Sequence, residues 1–115
     1  YCPYSKFHVG AAVKFKDEEK IFVGCNVENA SYGATICAER TAVVSAVAKH
    51  GKKLIEFVVV VTDTTPATQP CGLCLQVLAE FCEPSTAIYL ANTIGIDTVT
   101  SFEKLLPNPF TEFKV

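Results

Sequence analysis

The chain carries no basic stripe, no long apolar run and no internal repeat, and each absence narrows what it does. Ten Lys and Arg against twelve Asp and Glu leave a net charge of −2. Neutralising a phosphate backbone takes clustered Lys and Arg, so the composition opposes polynucleotide binding. No apolar stretch approaches the roughly 20 residues that span a bilayer, so no membrane partner is expected. Histidine is scarce, and neither His8 nor His50 is read as a metal ligand; His50 falls at a predicted helix C-terminus, where a cation is favourable. With 115 residues, half of them hydrophobic, the chain makes one domain (residues 1–115) whose core needs no disulfide staple.

What the chain has is cysteine, six in all. An even count permits a disulfide framework, but Cys71 and Cys74 would close a tiny, strained loop. The same two-residue gap lets both sulfurs reach one metal ion. Pro70-Cys71-Gly72-Leu73-Cys74 is therefore read together with Cys37-Ala38-Glu39-Arg40, which adds a third thiol and a carboxylate. Cys2, Cys25 and Cys82 read as small buried residues, although any of them could complete a closed, structural zinc knuckle. Free thiols in this number point to a reducing, cytoplasmic compartment.

Local patterns give the frame around these motifs. Residues 8 to 16 alternate, with Val9, Ala11, Val13 and Phe15 on one side, and Ile21 to Asn26 returns after a charged turn. The two form an antiparallel hairpin. Residues 27 to 35 are a polar loop, and a helix is predicted from Ile36 to His50, closed by Gly51. Its apolar residues cover nearly the whole circumference, so it should be buried on most sides, in part by a neighbouring subunit. Leu54 to Thr62 is a central strand expected to be covered on both faces. A second helix is predicted over Cys71 to Cys82, then strands over Thr86–Ala91 and Ile96–Thr100, antiparallel because four residues cannot make a parallel crossover. Phe102 to Leu106 makes one helical turn. The sum is a three-layer α/β/α sandwich around a mixed five-stranded sheet, with both cysteine motifs near helix N-termini on one side of it.

Zinc on three protein ligands keeps a fourth position for water, the catalytic rather than the structural pattern. Helix N-termini lower thiol pKa values, so Cys37, Cys71 and Cys74 suit thiolate ligation. Glu39 is placed to carry protons for water activated at the metal. Arg40 can hydrogen-bond thiolate sulfur and draw negative charge off the site. Cys-x-Glu followed by Pro-Cys-x-x-Cys is the pattern of the zinc deaminases, in which the Glu is catalytic and not a ligand.

Beyond those motifs the sequence resembles the cytidine deaminase family, in its short, homotetrameric, three-cysteine form. The resemblance runs through Tyr4-Ser5-Lys6-Phe7-His8-Val9-Gly10-Ala11-Ala12 and Gly24-Cys25-Asn26-Val27-Glu28-Asn29-Ala30-Ser31-Tyr32-Gly33. It continues through Cys37 to Ala42, Pro70 to Cys74, Gln76 to Leu78, Leu105-Leu106-Pro107 and Phe110. It implies the sheet order 2-1-3-4-5 and one Zn²⁺ per subunit on Cys37, Cys71 and Cys74, with Glu39 as proton shuttle. It assigns Asn26 and Glu28 to the ribose hydroxyls, Phe7 to stacking on the pyrimidine and the Ala38 N–H to the base carbonyl. Ala30, Tyr32 and Phe110 reach a neighbouring subunit's site, so a homotetramer with shared sites is implied. The family's N-terminal helix ahead of the first motif is not in this chain, which begins at Tyr1. Gln69 stands where the family has Ser, and Leu75 where it has Arg, which should alter local electrostatics or subunit contacts.

The leading reading is zinc-dependent deamination of cytidine and deoxycytidine in pyrimidine salvage. The alternatives are a deaminase of a related aminopyrimidine nucleoside of antibiotic type, a polynucleotide-editing deaminase, and a non-catalytic structural zinc protein, which would need a fourth protein ligand.

Overall fold

The computed structural model describes residues 1–113. Strand β1 (Val9–Phe15) and β2 (Ile21–Cys25) form the expected antiparallel hairpin. Helix α1 (Ala38–His50) follows, then β3 (Ile55–Thr62), α2 (Gly72–Ala79), β4 (Ala87–Ala91), β5 (Ile96–Ser101) and a single turn, α3 (Phe102–Leu105). The sheet order is β2-β1-β3-β4-β5. Only the β3–β4 pair is parallel, with α2 as its crossover, and β4 and β5 pair antiparallel. The mixed sheet and its order are those expected from the sequence.

The core lies on one face of the sheet. Val13, Val58, Val60, Ile88 and Leu90 project there and meet Ala42, Val43 and Ala46 of α1 and Leu75 and Leu78 of α2. Phe102 of α3 joins the same cluster, so the helices of the described residues form one layer, and the second helical layer of the expected three-layer sandwich is not seen among them. The run through β3 was expected to be covered on both faces. It is sealed on the helical face at Ile55, Val58, Val60 and Thr62, while Phe57, Val59 and Val61 on the other are only half-buried. Glu56 is exposed.

The cysteine motifs differ from expectation by a residue or two, and the differences matter. Helix α1 begins at Ala38 rather than Ile36, because Ile36 forms an isolated bridge with Val27 and holds the chain extended up to the N-cap, Cys37. Cys71 is likewise the N-cap of α2. That helix stops at Ala79 instead of Cys82, its end tightened by Phe81 and Cys82 N–H groups that both donate to the Leu78 carbonyl. Helix α1 is not buried on most sides within one chain: Val44 is 57 % exposed and Ala48 is also exposed. Cys2 is buried and Cys82 half-buried, as small core residues should be, but Cys25 is exposed on the edge strand β2.

Gly24 sets how closely α1 approaches the sheet. A Cβ at this position would lie 2.5 Å from the Ala38 carbonyl oxygen and 2.7 Å from the Ala42 nitrogen, both backbone atoms. Only a residue with no side chain lets the first turns of α1 settle on β2. Gly24→Ala should therefore destabilise the fold by about 1–3 kcal/mol, as overpacking does. Urea unfolding of the two proteins measures this, and equal midpoints would show that the contact has slack.

Candidate active site

Cys37, Cys71 and Cys74 converge, their sulfurs all within 4.8 Å of one another. Cys37 Sγ and Cys71 Sγ are 3.9 Å apart. A tetrahedral zinc ion with bonds of about 2.3 Å to sulfur requires sulfurs about 3.8 Å apart. The donor set and spacing fit zinc. Among the described residues these three form the sole group of three or more metal-ligating side chains. His8, His50, Cys2, Cys25 and Cys82 do not join it, so the fourth protein ligand demanded by a structural knuckle is absent among the described residues.

The thiols differ in their electrostatics. For Cys71, burial pushes the pKa up, but hydrogen bonds from the Cys74 and Leu73 backbone and from the Cys74 and Cys37 thiols outweigh it, and the net shift is downward. That agrees with the expected effect of a helix N-terminus. Cys74 departs from it: burial, then the negative charges of Glu39 and Cys37, drive its pKa well up. A dication among the three sulfurs supplies the charge that lets all of them serve as thiolates. Arg40 already contributes, its Nη2 donating to Cys37 Sγ at 3.3 Å and to the Thr35 carbonyl at 3.4 Å.

Beside the sulfurs lies a cavity of about 340 Å³, within the range of small-molecule sites. Phe7, Asn26, Glu28, Cys37, Ala38, Glu39 and Cys71 all line it, so residues spread over 65 positions of sequence meet at one place. Glu39 is 4 % exposed, and burial pushes its pKa up against the opposing pull of its own backbone N–H, Cys74 and Arg40. Ala38 opens helix α1, so its N–H has no intrahelical acceptor.

Asn26 and Glu28 are busier than their assignment implies. Asn26 Oδ1 accepts from the Val9 N–H at 3.1 Å and Nδ2 donates to the Phe7 carbonyl at 2.7 Å. Glu28 Oε1 accepts from the Tyr4 and Ser5 N–H groups at 2.9 and 3.1 Å, and Oε2 from the Ser5 hydroxyl. Both side chains therefore tether the segment that carries Phe7. Three assigned residues lie off the cavity in a single chain: Ala30 is exposed, Tyr32 is 76 % exposed, and Phe110 is 58 % exposed against Phe113.

Sequence patterns did not single out Ser5, Thr35, Val60, Thr62 and Thr68, which also line the cavity. The clustering of threonines over 62–68 was the available signal. Thr62, Thr64 and Thr68 hydroxyls form a chain with steps of 3.0 and 2.8 Å, and the Thr68 N–H donates to Thr62 Oγ1 at 3.1 Å. This knits the loop that delivers Cys71. Gln69 is on the cavity wall, whereas Leu75 is buried in the core, so the charge expected there is replaced by apolar packing.

Residues 1–91 match the family described as the cytidine and deoxycytidylate deaminase zinc-binding region. The chain belongs to this deaminase family. A cytidine deaminase from Sporosarcina psychrophila is 47 % identical over 112 residues, covering 97 % of this chain and 81 % of the relative. One from Halalkalibacterium halodurans is 46 % identical over 111 residues, covering 96 % and 83 %. The crystal structure of a cytidine deaminase from Burkholderia pseudomallei superposes with a TM-score of 0.88 at 46 % identity, covering 96 % of this chain and 87 % of that one. Family membership and sulfur geometry thus agree on a zinc-binding deaminase. Replacing Cys37, Cys71 or Cys74 by Ala should cut bound zinc to well below one ion per chain, while Cys82→Ala keeps the full complement. Metal analysis of the purified variants reads this directly; zinc lost from Cys82→Ala would mean the ligand set is wrong.

Proposed function

We infer that the chain hydrolyses cytidine and deoxycytidine to uridine and deoxyuridine with release of ammonia, a reaction of pyrimidine salvage. The observation that carries this reading is the buried carboxyl of Glu39 beside three convergent thiols, in one cavity with Phe7 and Asn26. Cys37, Cys71 and Cys74 would hold one zinc ion. When bound, zinc acts as a Lewis acid that brings the pKa of water toward neutrality. Glu39 moves the protons: it takes one from the attacking water and gives it to the ring nitrogen beside the amine-bearing carbon. It then carries the second, from the new hydroxyl, to the departing amine. One water enters and one ammonia leaves. A pKa raised by burial suits a group that must hold a proton between two transfers.

The other residues orient the substrate. The Ala38 N–H donates to the base carbonyl, Phe7 packs on the ring, and Asn26 and Glu28 engage the sugar hydroxyls. The family spans nucleoside and nucleotide deaminases, and the cavity lining favours the nucleoside. It contains no Lys or Arg among the described residues, and Glu28 stands at the proposed sugar end, where a phosphate would be repelled. No helix among the described residues is long and apolar enough to cross a membrane. A cytoplasmic setting suits a site that needs three reduced thiols.

Ala30, Tyr32 and Phe110, exposed in one chain, would act across subunit boundaries in a homotetramer. The exposed Val44 on α1 and the half-buried second sheet face are apolar surface available for that assembly. Sedimentation should find a tetramer for the wild type and smaller species for Val44→Glu; a monomeric wild type would end this part of the reading.

Zinc-loaded protein should convert cytidine with one ammonia released per uridine formed. Glu39→Gln should retain zinc and lose about 10²–10⁴-fold in kcat, the usual worth of a positioned acid–base group. Near-normal turnover by this variant would remove Glu39 from its role.

A further inference from the structure

We propose that Ser5 is a positioning residue that fixes which part of the Glu28 carboxylate is presented to the substrate's sugar diol. The inference rests on reading the cavity as a nucleoside site and goes one residue further.

The observation is a hydrogen-bond relay. The Ser5 hydroxyl donates its one proton to Glu28 Oε2. Ser5 Oγ in turn accepts the Phe7 N–H at 3.0 Å. A serine hydroxyl can donate and accept at once, so both of its roles are used. Lys6, between them, takes a left-handed φ of 59°, which curls Tyr4 to Phe7 back on itself and brings Ser5 over Glu28. One hydroxyl therefore joins the carboxylate at the sugar end of the cavity to the backbone of the ring-stacking residue.

Counting acceptor sites shows what this leaves free. A carboxylate has about four lone-pair sites, two on each oxygen. Oε1 accepts two N–H groups, from Tyr4 and Ser5, and is full. Oε2 accepts the Ser5 hydroxyl, so one site remains on the whole group. Asn26 has one N–H and one lone pair left after its bonds to Phe7 and Val9. Between them the two side chains offer a diol one fixed donor, on Asn26, and two fixed acceptors, one on each side chain. Without the Ser5 hydroxyl, Oε2 can turn toward water and the acceptor loses its direction. The bonds from Ser5 and Tyr4 also hold Glu28 ionised, with its pKa below the usual carboxylate value through the Ser5 hydroxyl first.

The test compares cytidine with 2′,3′-dideoxycytidine, which lacks both hydroxyls, on zinc-loaded wild type, Ser5→Ala and Ser5→Thr. In Ser5→Ala the KM for cytidine should rise about tenfold, the order expected for a lost hydrogen bond to a charged group, with kcat little changed. The KM for the dideoxy analogue should stay near its wild-type value. Ser5→Thr keeps the hydroxyl and should recover most of the loss. Equal penalties on both substrates, no penalty on cytidine, or a Thr variant as impaired as the Ala variant would each overturn the proposal. So would a fall in zinc content or unfolding midpoint that accompanies the KM change. A wild type that does not deaminate cytidine would instead bring down the underlying functional reading, which separates the two failures.

Discussion

The site depends on two helix N-termini arriving at the same end of one sheet. Cys37 caps α1, Cys71 caps α2, and Cys74 lies in the first turn of α2. The parallel β3–β4 pair forces α2 to cross over the sheet and begin near the end of β3. Helix α1 reaches the same point because Gly24 lets its first turn rest on β2 without an intervening side chain. The sulfurs are thus placed by backbone packing, not by long adjustable side chains. A metal site tolerates ligand errors of only about 0.2 Å, so this dependence on rigid elements is what makes the triad usable.

The second dependence is polar. Residues 4 to 9 have no regular partner for several of their backbone groups until β1 begins. Asn26 and Glu28 supply it, taking the N–H groups of Tyr4, Ser5 and Val9 and giving one to the Phe7 carbonyl. The Val27–Ile36 bridge, with N–H···O distances of 2.8 and 2.9 Å, holds these two side chains in place from behind. Tethering the loop and binding a sugar are compatible because an amide and a carboxylate each have more hydrogen-bonding sites than the loop consumes. The same side chains therefore shape the cavity before any ligand enters it, which is the meaning of preorganisation here.

Much of this was legible in the sequence because it rests on short-range pattern. The two-residue gap between Cys71 and Cys74, the alternation through Val9 to Phe15 and the four-residue link from β4 to β5 each have one economical structural solution. The boundaries were less legible. The start of α1 moved from Ile36 to Ala38 because a tertiary bridge to Val27 overrides local helix preference, and propensity carries no information about that partner. Cys25 was misjudged since burial of a cysteine depends on which strand is at the edge, a property of the whole sheet. The upward shift at Cys74 opposed the helix-terminus rule because burial, and after it the charges of Glu39 and Cys37, are set by tertiary packing that places residues remote in sequence around it. The hydroxyl chain through Thr62, Thr64 and Thr68 was invisible for a similar reason: threonines in a polar loop look alike until the loop is closed.

Charge links the site's architecture to its choice of substrate. Three thiolates on one dication leave a formal charge of about −1. Glu28 adds another negative charge on the cavity wall, held ionised by its hydrogen bonds. Arg40 offsets part of this from behind Cys37, and the first N–H groups of α1 and α2 contribute partial positive charge at the same point. Arg40 acts on the sulfur end, and among the described residues the cavity lining holds no Lys or Arg to pair with an incoming anion. A neutral nucleoside enters such a cavity without an electrostatic cost, whereas a phosphate ester must be brought up to Glu28 unpaired. Glu39 is the one buried acid among the described residues, and burial raises its pKa and makes it a better proton holder than the half-buried Glu28 across the cavity, which suits it to the proton transfers proposed for it.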